Sequence, residues 1–148
     1  VGLNNLLRKR EQQKMLALRP YLYYFMGAVA LLPVYKGVVF RGIPNADVEE
    51  IKREYTITRT IWWSAFTSTT TSIATAREFA GKGGVIFRIV VEDGARIDQY
   101  SQFHHEGEVL LNPNSKLCVM KALEHNEEDG RHYLHLHAVG ATPSPYKY

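Results

Sequence analysis

The sequence predicts an α+β domain, with a helical N-terminal layer beside mostly antiparallel β-sheets. Three observations lead there. Apolar residues recur at helical spacing ahead of Pro33, whereas the segments after it are mostly short β-type runs bounded by turn residues. Near the end, "KLCVMKALEH" and "RHYLHLHAV" flank "NEEDG", the pattern of a hairpin closed by a short Gly-containing loop. With 148 residues and 45% hydrophobic content, the chain is long enough to bury one sizeable core. We therefore expect one domain over residues 1–148: a helical lead (1–32), a β-rich core (33–140) and a poorly ordered tail (141–148). The opening Val1-Gly2, in place of Met, leads us to expect a domain excised from a longer protein.

The elements follow in order. Asn4 to Leu18 carries Leu6, Leu7, Met15 and Leu18 among charged residues and reads as an amphipathic helix. Pro20 opens a second helix, Tyr21 to about Leu31, apolar on most faces and so largely buried. Val34 to Arg41 is β-rich and stops at a glycine. "NADVEEIKREY" reads as a short helix, with Asn45 as N-cap and acidic residues in its first turn. "TIWWSAFTST" reads as one strand, and "TSIATAREFAG" as a helix capped by Thr71 or Ser72 and stopped by Gly81. Gly84 to Val91 is a strand, and the turn-rich "EDGARIDQYSQFHHEG" leads into the strand "EVLL".

Composition excludes several classes. The formal net charge is only +3, and Lys and Arg are scattered except at Arg8-Lys9-Arg10, so no basic stripe exists to track a phosphate backbone. A nucleic-acid partner is not expected, although nine tyrosines keep that reading as a rival. The longest apolar stretch, "YLYYFMGAVALLP", is about half the length that spans a bilayer, so no membrane partner is expected. The single Cys118 excludes an internal disulfide framework and reads as buried ballast in "KLCVM". That favours a reducing intracellular compartment and still allows a secreted effector acting inside another cell. His135 and His137 share a strand face, but no Cys or carboxylate completes a ligand spacing, so solvent-facing histidines are preferred to a metal site.

Three stretches carry chemistry: "VVFRG", with Arg41 at a strand end; "FTSTTTS", with Ser68-Thr69-Thr70 just before a helix; and "EGE", with Glu108 opening a strand. Their order and separations, 27 residues from Arg41 to Ser68 and 40 from Ser68 to Glu108, resemble the mono-ADP-ribosyltransferases of the R-S-E class. The resemblance runs from Val34 to Val139, and the leading helices suit the helical region that precedes the sheets in this family. The sequence departs from the family's Ser-Thr-Ser at Thr70, which keeps the hydroxyl.

The resemblance implies NAD as substrate, cleavage of its nicotinamide–ribose bond, and an arginine on an acceptor protein as the receiving group. No metal is implied. A carboxylate that bonds the ribose 2′-OH stabilises the oxocarbenium-like ribose, and Glu108 is the candidate. Arg41 offers a permanent planar cation for the pyrophosphate, and Gly42 lets the nicotinamide amide reach backbone groups. Ser68 orients Glu108. Thr69 lies against the cofactor, where it and Thr70 also stiffen the strand end and cap the next helix.

In this family a Glu two residues before the catalytic Glu accompanies arginine as acceptor, which makes Glu106 the residue that holds and deprotonates the guanidinium. On an extended segment Glu106 and Glu108 would face one cleft about 6–7 Å apart, with Gly107 giving the turn its freedom. Tyr100 and Phe103, in the loop before them, either stack on the target protein or anchor the loop to the core. Phe66 reads as core, as does at least one of Trp62 and Trp63. The alternatives are a NAD glycohydrolase on the same site, in which water replaces the acceptor, and, from a different class, a non-catalytic nucleic-acid- or protein-binding domain.

Overall fold

The computed structural model describes residues 31–97 and 107–141. In chain order they form β1 (Val34–Ile43), α1 (Val48–Glu54), β2 (Thr60–Trp63), β3 (Thr67–Thr70), α2 (Ile73–Ala80), β4 (Val85–Arg96), β5 (Glu108–Leu111), β6 (Ser115–His125) and β7 (His132–Ala141). The expected helices ahead of Leu31 and the tail beyond Ala141 lie outside the described residues.

The seven strands make one sheet in the order β1-β3-β5-β4-β7-β6-β2. β1 also pairs with β4 along most of its length, so β1, β3, β5 and β4 close into a ring. All pairings are antiparallel except β4 with β7, which run parallel from Val85↔His132 to Val90↔His137. One face carries the main core. Val85, Phe87, Ile89 and Val91 alternate inward along β4, and Leu134, Leu136 and Ala138 do so along β7. Ile51 and Tyr55 of the α1 segment close over them, with Trp63 and Tyr55 against the Phe87 ring. Burying such side chains contributes roughly 1.5–3 kcal/mol each relative to exposure. His135 and His137 stand half-exposed on the opposite face of β7, as alternation requires. Among the described residues, no helix is long and apolar enough to cross a membrane.

Four local expectations are corrected. "TIWWSAFTST" is two strands: Trp63, Phe66 and Thr67 are all buried, which breaks the period of two, and Phe66 enters a separate cluster with Ala95 and Leu110. β2 then pairs with β6 at one sheet edge while β3 joins β1 and β5. The N-cap of α1 is Asp47, whose carboxylate accepts from the Glu50 amide at 3.2 Å, while Asn45 takes a left-handed turn with φ 54°. β4 runs on to Arg96, because Gly94 lets β5 cross it closely; a β-carbon there would meet Val109 at 2.5 Å. Cys118 is half-buried on the outer face of β6, out of register with the core residues Leu117 and Val119. Trp62 is exposed and Trp63 buried, and α2 has Ser72 as N-cap and Gly81 as C-cap.

Helix α2 covers the other face of the sheet. Ala76 and Ala80, one turn apart, pack on Ile86 with Phe40 and Tyr133 around them. The approach is close enough that β1 must have glycine beneath it. A β-carbon on Gly42 would stand 2.2 Å from the Ala76 carbonyl oxygen and 3.0 Å from the Ala80 amide. Backbone cannot yield as a side-chain tip can. We expect Gly42→Ala to lower unfolding free energy by about 1–3 kcal/mol, measured in denaturant, by forcing α2 off the sheet.

Candidate active site

The antiparallel register of β3 and β5 builds the site. Thr70 lies opposite Glu108 and Ser68 opposite Leu110, so Ser68 and Glu108 are diagonal neighbours on one face. The Ser68 hydroxyl donates to Glu108 Oε1 at 3.1 Å. The other face of β3 is buried: the Thr69 hydroxyl donates to the Val109 carbonyl at 2.7 Å, and Thr67 donates to the Ala65 carbonyl. Thr70 Oγ1 accepts from the Ser72 amide at 3.0 Å, and Ser72 Oγ from the Thr75 amide at 3.2 Å. The Ser/Thr run thus divides its work: Thr69 locks the strand pair, Ser68 holds the carboxylate, and Thr70 accepts from the N-cap residue of α2.

Arg41 arrives from β1. It shares its strand face with Val39 and Ile43, which are core residues, so a guanidinium stands among apolar neighbours on that face. Such a group needs polar partners, and Arg41 Nη1 donates to the Ser68 carbonyl at 2.9 Å. Arg41, Ser68 and Glu108 are therefore joined by two consecutive hydrogen bonds, although they are far apart in the chain.

These three residues line a pocket of about 260 Å³ together with Gly42, Thr69 and Thr70. Every sequence-predicted site residue among the described ones is brought to this one pocket. Its other wall is Phe40 from β1 and Thr75, Ala76 and Phe79 from α2. Sequence reasoning missed that wall. No sequence pattern marks it, because only the fold shows that Phe79 is 53% exposed on a helix whose buried side is made of alanines. Among the described residues, no group of three or more His, Cys, Asp or Glu is placed to hold a metal ion.

Glu106, Tyr100 and Phe103 lie outside the described residues. The segment between the two glutamates differs from the extended geometry expected of it. Gly107 takes φ 76°, in the left-handed region, before the strand begins at Glu108. Its carbonyl accepts from the Thr71 amide at 2.8 Å, tying the start of β5 to the start of α2.

The chain belongs to the NAD:arginine ADP-ribosyltransferase family, whose sequence model matches residues 3–144. No curated protein matches this chain. Several solved structures are similar to it. The ADP-ribosyltransferase Vis from Vibrio splendidus, in complex with agmatine, is 25% identical with a TM-score of 0.65, over 83% of this chain and 58% of Vis. The ADP-ribosyltransferase HopU1 of Pseudomonas syringae is 26% identical with a TM-score of 0.61, over 72% of this chain and 47% of HopU1. The Salmonella SpvB domain shares the fold at 16% identity, with a TM-score of 0.59 over 90% of this chain and 86% of that domain. The chain thus spans under three fifths of the Vis and HopU1 chains it matches.

Gly107 generates a test. A β-carbon there would lie 1.8 Å from Thr71 Oγ1 and would sit on a backbone with positive φ. We expect Gly107→Ala to displace Glu108 from Ser68 and to cost at least ten-fold in turnover, while the strands far from it keep the melting temperature within a few degrees.

Proposed function

We propose that this domain transfers ADP-ribose from NAD to an arginine side chain of an acceptor protein, with release of nicotinamide. The observation that carries the reading is the chain of hydrogen bonds from Arg41 through the Ser68 strand to Glu108, set at the edge of one pocket. The family supports NAD as the substrate. The Vis complex with agmatine, a small molecule ending in a guanidinium, supports a guanidinium acceptor.

In this reading Glu108 accepts from the ribose 2′-OH and stabilises the positive charge that develops on the ribose as nicotinamide leaves. Ser68 holds that carboxylate by its hydroxyl, which restricts it to one orientation before substrate arrives. Arg41 binds the pyrophosphate, and its contact to the Ser68 carbonyl keeps the long side chain ordered, so less entropy is lost on binding. Gly42 lines the pocket where α2 crosses β1, and Thr69 lines it while its hydroxyl stays engaged with Val109. Glu106 receives the acceptor. Its α-carbon lies within about 7 Å of that of Glu108, the reach of two residues. An arginine guanidinium stays protonated at neutral pH, so it needs a carboxylate to hold it and to take its proton as the new C–N bond forms. Tyr100 and Phe103, in the same loop, contact the target protein.

Incubation with labelled NAD, with and without agmatine, tests the reading. Label on agmatine supports transfer, free ADP-ribose in both samples supports hydrolysis, and intact NAD in both overturns both. Glu108→Gln keeps shape and loses charge, so nicotinamide release is expected to fall about 10²–10³-fold with the melting temperature unchanged. Glu106→Gln separates the two reactions, because water needs no carboxylate to be held. Nicotinamide release should stay within about ten-fold of wild type while labelling of agmatine falls about 10²–10⁴-fold. Parallel loss of both activities would assign Glu106 to support of the loop or of Glu108.

A further inference from the structure

Beyond the pocket, α2 is fastened to the tip of the β6–β7 hairpin by groups that the proposed reaction does not use. Arg77 Nε donates to the Tyr133 hydroxyl at 3.1 Å, and that hydroxyl donates to Asp129 Oδ2. Asp129 Oδ1 accepts from the Arg131 amide at 2.9 Å. The guanidinium groups of Arg77 and Arg131 each lie 3.7 Å from Asp129 Oδ2. Arg131 Nε also donates to the carbonyl of Gly81, the C-cap of α2, at 3.0 Å. The Asp129 and Arg131 side chains are 20% and 17% exposed, so solvent screens that pair less than it does surface pairs, whereas Arg77 is 41% exposed and enters the clasp through its bond to the Tyr133 hydroxyl. Burial pushes the Asp129 carboxyl up, but bonds from Tyr133 and the Arg131 amide and the two guanidinium groups outweigh it and hold it below its ordinary value. Burial and the bond to Asp129 raise the Tyr133 phenol, which stays a proton donor.

The helix held in this way is short. An isolated helix of eight residues does not persist in water, so its position depends on what grips it. Thr70 and Ser72 fix the N-terminal end. The C-terminal half, which presents Phe79 to the pocket, is gripped by the hairpin. Arg41, Ser68 and Glu108, by contrast, stand on strands paired with one another, and the ties of those strands to α2 are at its N-terminal end, away from the clasp. Loosening the hairpin contact therefore moves one wall of the pocket and leaves the reacting groups in place.

We propose that Tyr133, Asp129 and Arg77 are positioning residues that set the NAD-facing wall of the pocket by clasping α2 to the hairpin tip. The inference rests on the NAD reading above. It separates two roles by element: strands β1, β3 and β5 supply the chemistry, and α2 with its clasp supplies affinity for the nucleotide.

The test measures NAD binding by calorimetry and nicotinamide release by steady-state kinetics, on wild type and on Tyr133→Phe, Asp129→Asn and Arg77→Met. Tyr133→Phe removes one hydroxyl and keeps the ring that packs on Ala76 and Ile86. Kd and KM for NAD should rise about three- to ten-fold, the scale of one hydrogen bond, with kcat within two-fold of wild type. The double variant Tyr133→Phe/Arg77→Met should raise Kd no further than the larger single change, because both open the same clasp. Glu127→Gln, an exposed change on the same tip, should alter neither constant. Should Tyr133→Phe not fold, Asp129→Asn and Arg77→Met carry the same expectation. Unchanged Kd and KM in the folded variants, or a fall in kcat at constant KM, overturns the inference whatever the melting temperature does. A wild type that neither binds NAD nor releases nicotinamide overturns the NAD reading and the inference together.

Discussion

The register between β3 and β5 is the constraint on which the site depends. With Thr70 opposite Glu108, the Ser68 hydroxyl and the Glu108 carboxylate meet diagonally on one face, and Thr69 and Val109 lock the other. A slip of one residue would turn Glu108 toward the core and Val109 outward, so the apolar face defends the register that the polar face uses. The Thr69 hydroxyl bond to the Val109 carbonyl adds a direct tie across the pair, in a place water does not reach. Stability of the core and geometry of the carboxylate are thus specified by the same residues.

A second layer of organisation follows from close backbone approach. Gly42 admits α2 onto β1, Gly94 admits β5 across β4, and Gly107 turns the chain against Thr71 so that β5 starts where it must. Each of these contacts is tighter than a β-carbon allows, and each lies beside a pocket residue or its strand partner. The strands bring Arg41 and Glu108 together, and the glycines let the helix and the turn close round them. This arrangement also explains how a fold can be shared at 16% identity with SpvB. The side chains that fill the core can be exchanged for others of similar volume. The paired strands and close crossings are backbone features that many sequences can satisfy.

The sequence by itself determined a good deal. Arg41, Ser68 and Glu108 were legible because their spacing and their strand-end contexts resemble one family. The β6–β7 hairpin was legible because a Gly-containing loop separates two β-rich runs. Leu134 and Leu136 facing inward, with His135 and His137 outward, follow from the period of two alone. The caps of α2 are local chemistry: the sequence limits the N-cap to Thr71 or Ser72, of which the structure uses Ser72, and marks Gly81 as the stop. What only the tertiary structure decided is long-range or conformational. The break at Ser64-Ala65-Phe66 sends β2 and β3 to different parts of the sheet, since Trp63 and Phe66 enter separate apolar clusters. Asp47 rather than Asn45 caps α1, because Asn45 is consumed by a left-handed turn. The wall formed by Phe40 and Phe79, and the clasp of Arg77, Tyr133 and Asp129, join residues far apart in the chain. No local pattern announces such contacts. Periodicity reports which way a side chain points relative to its own element, and only the packing of elements reports what it meets there.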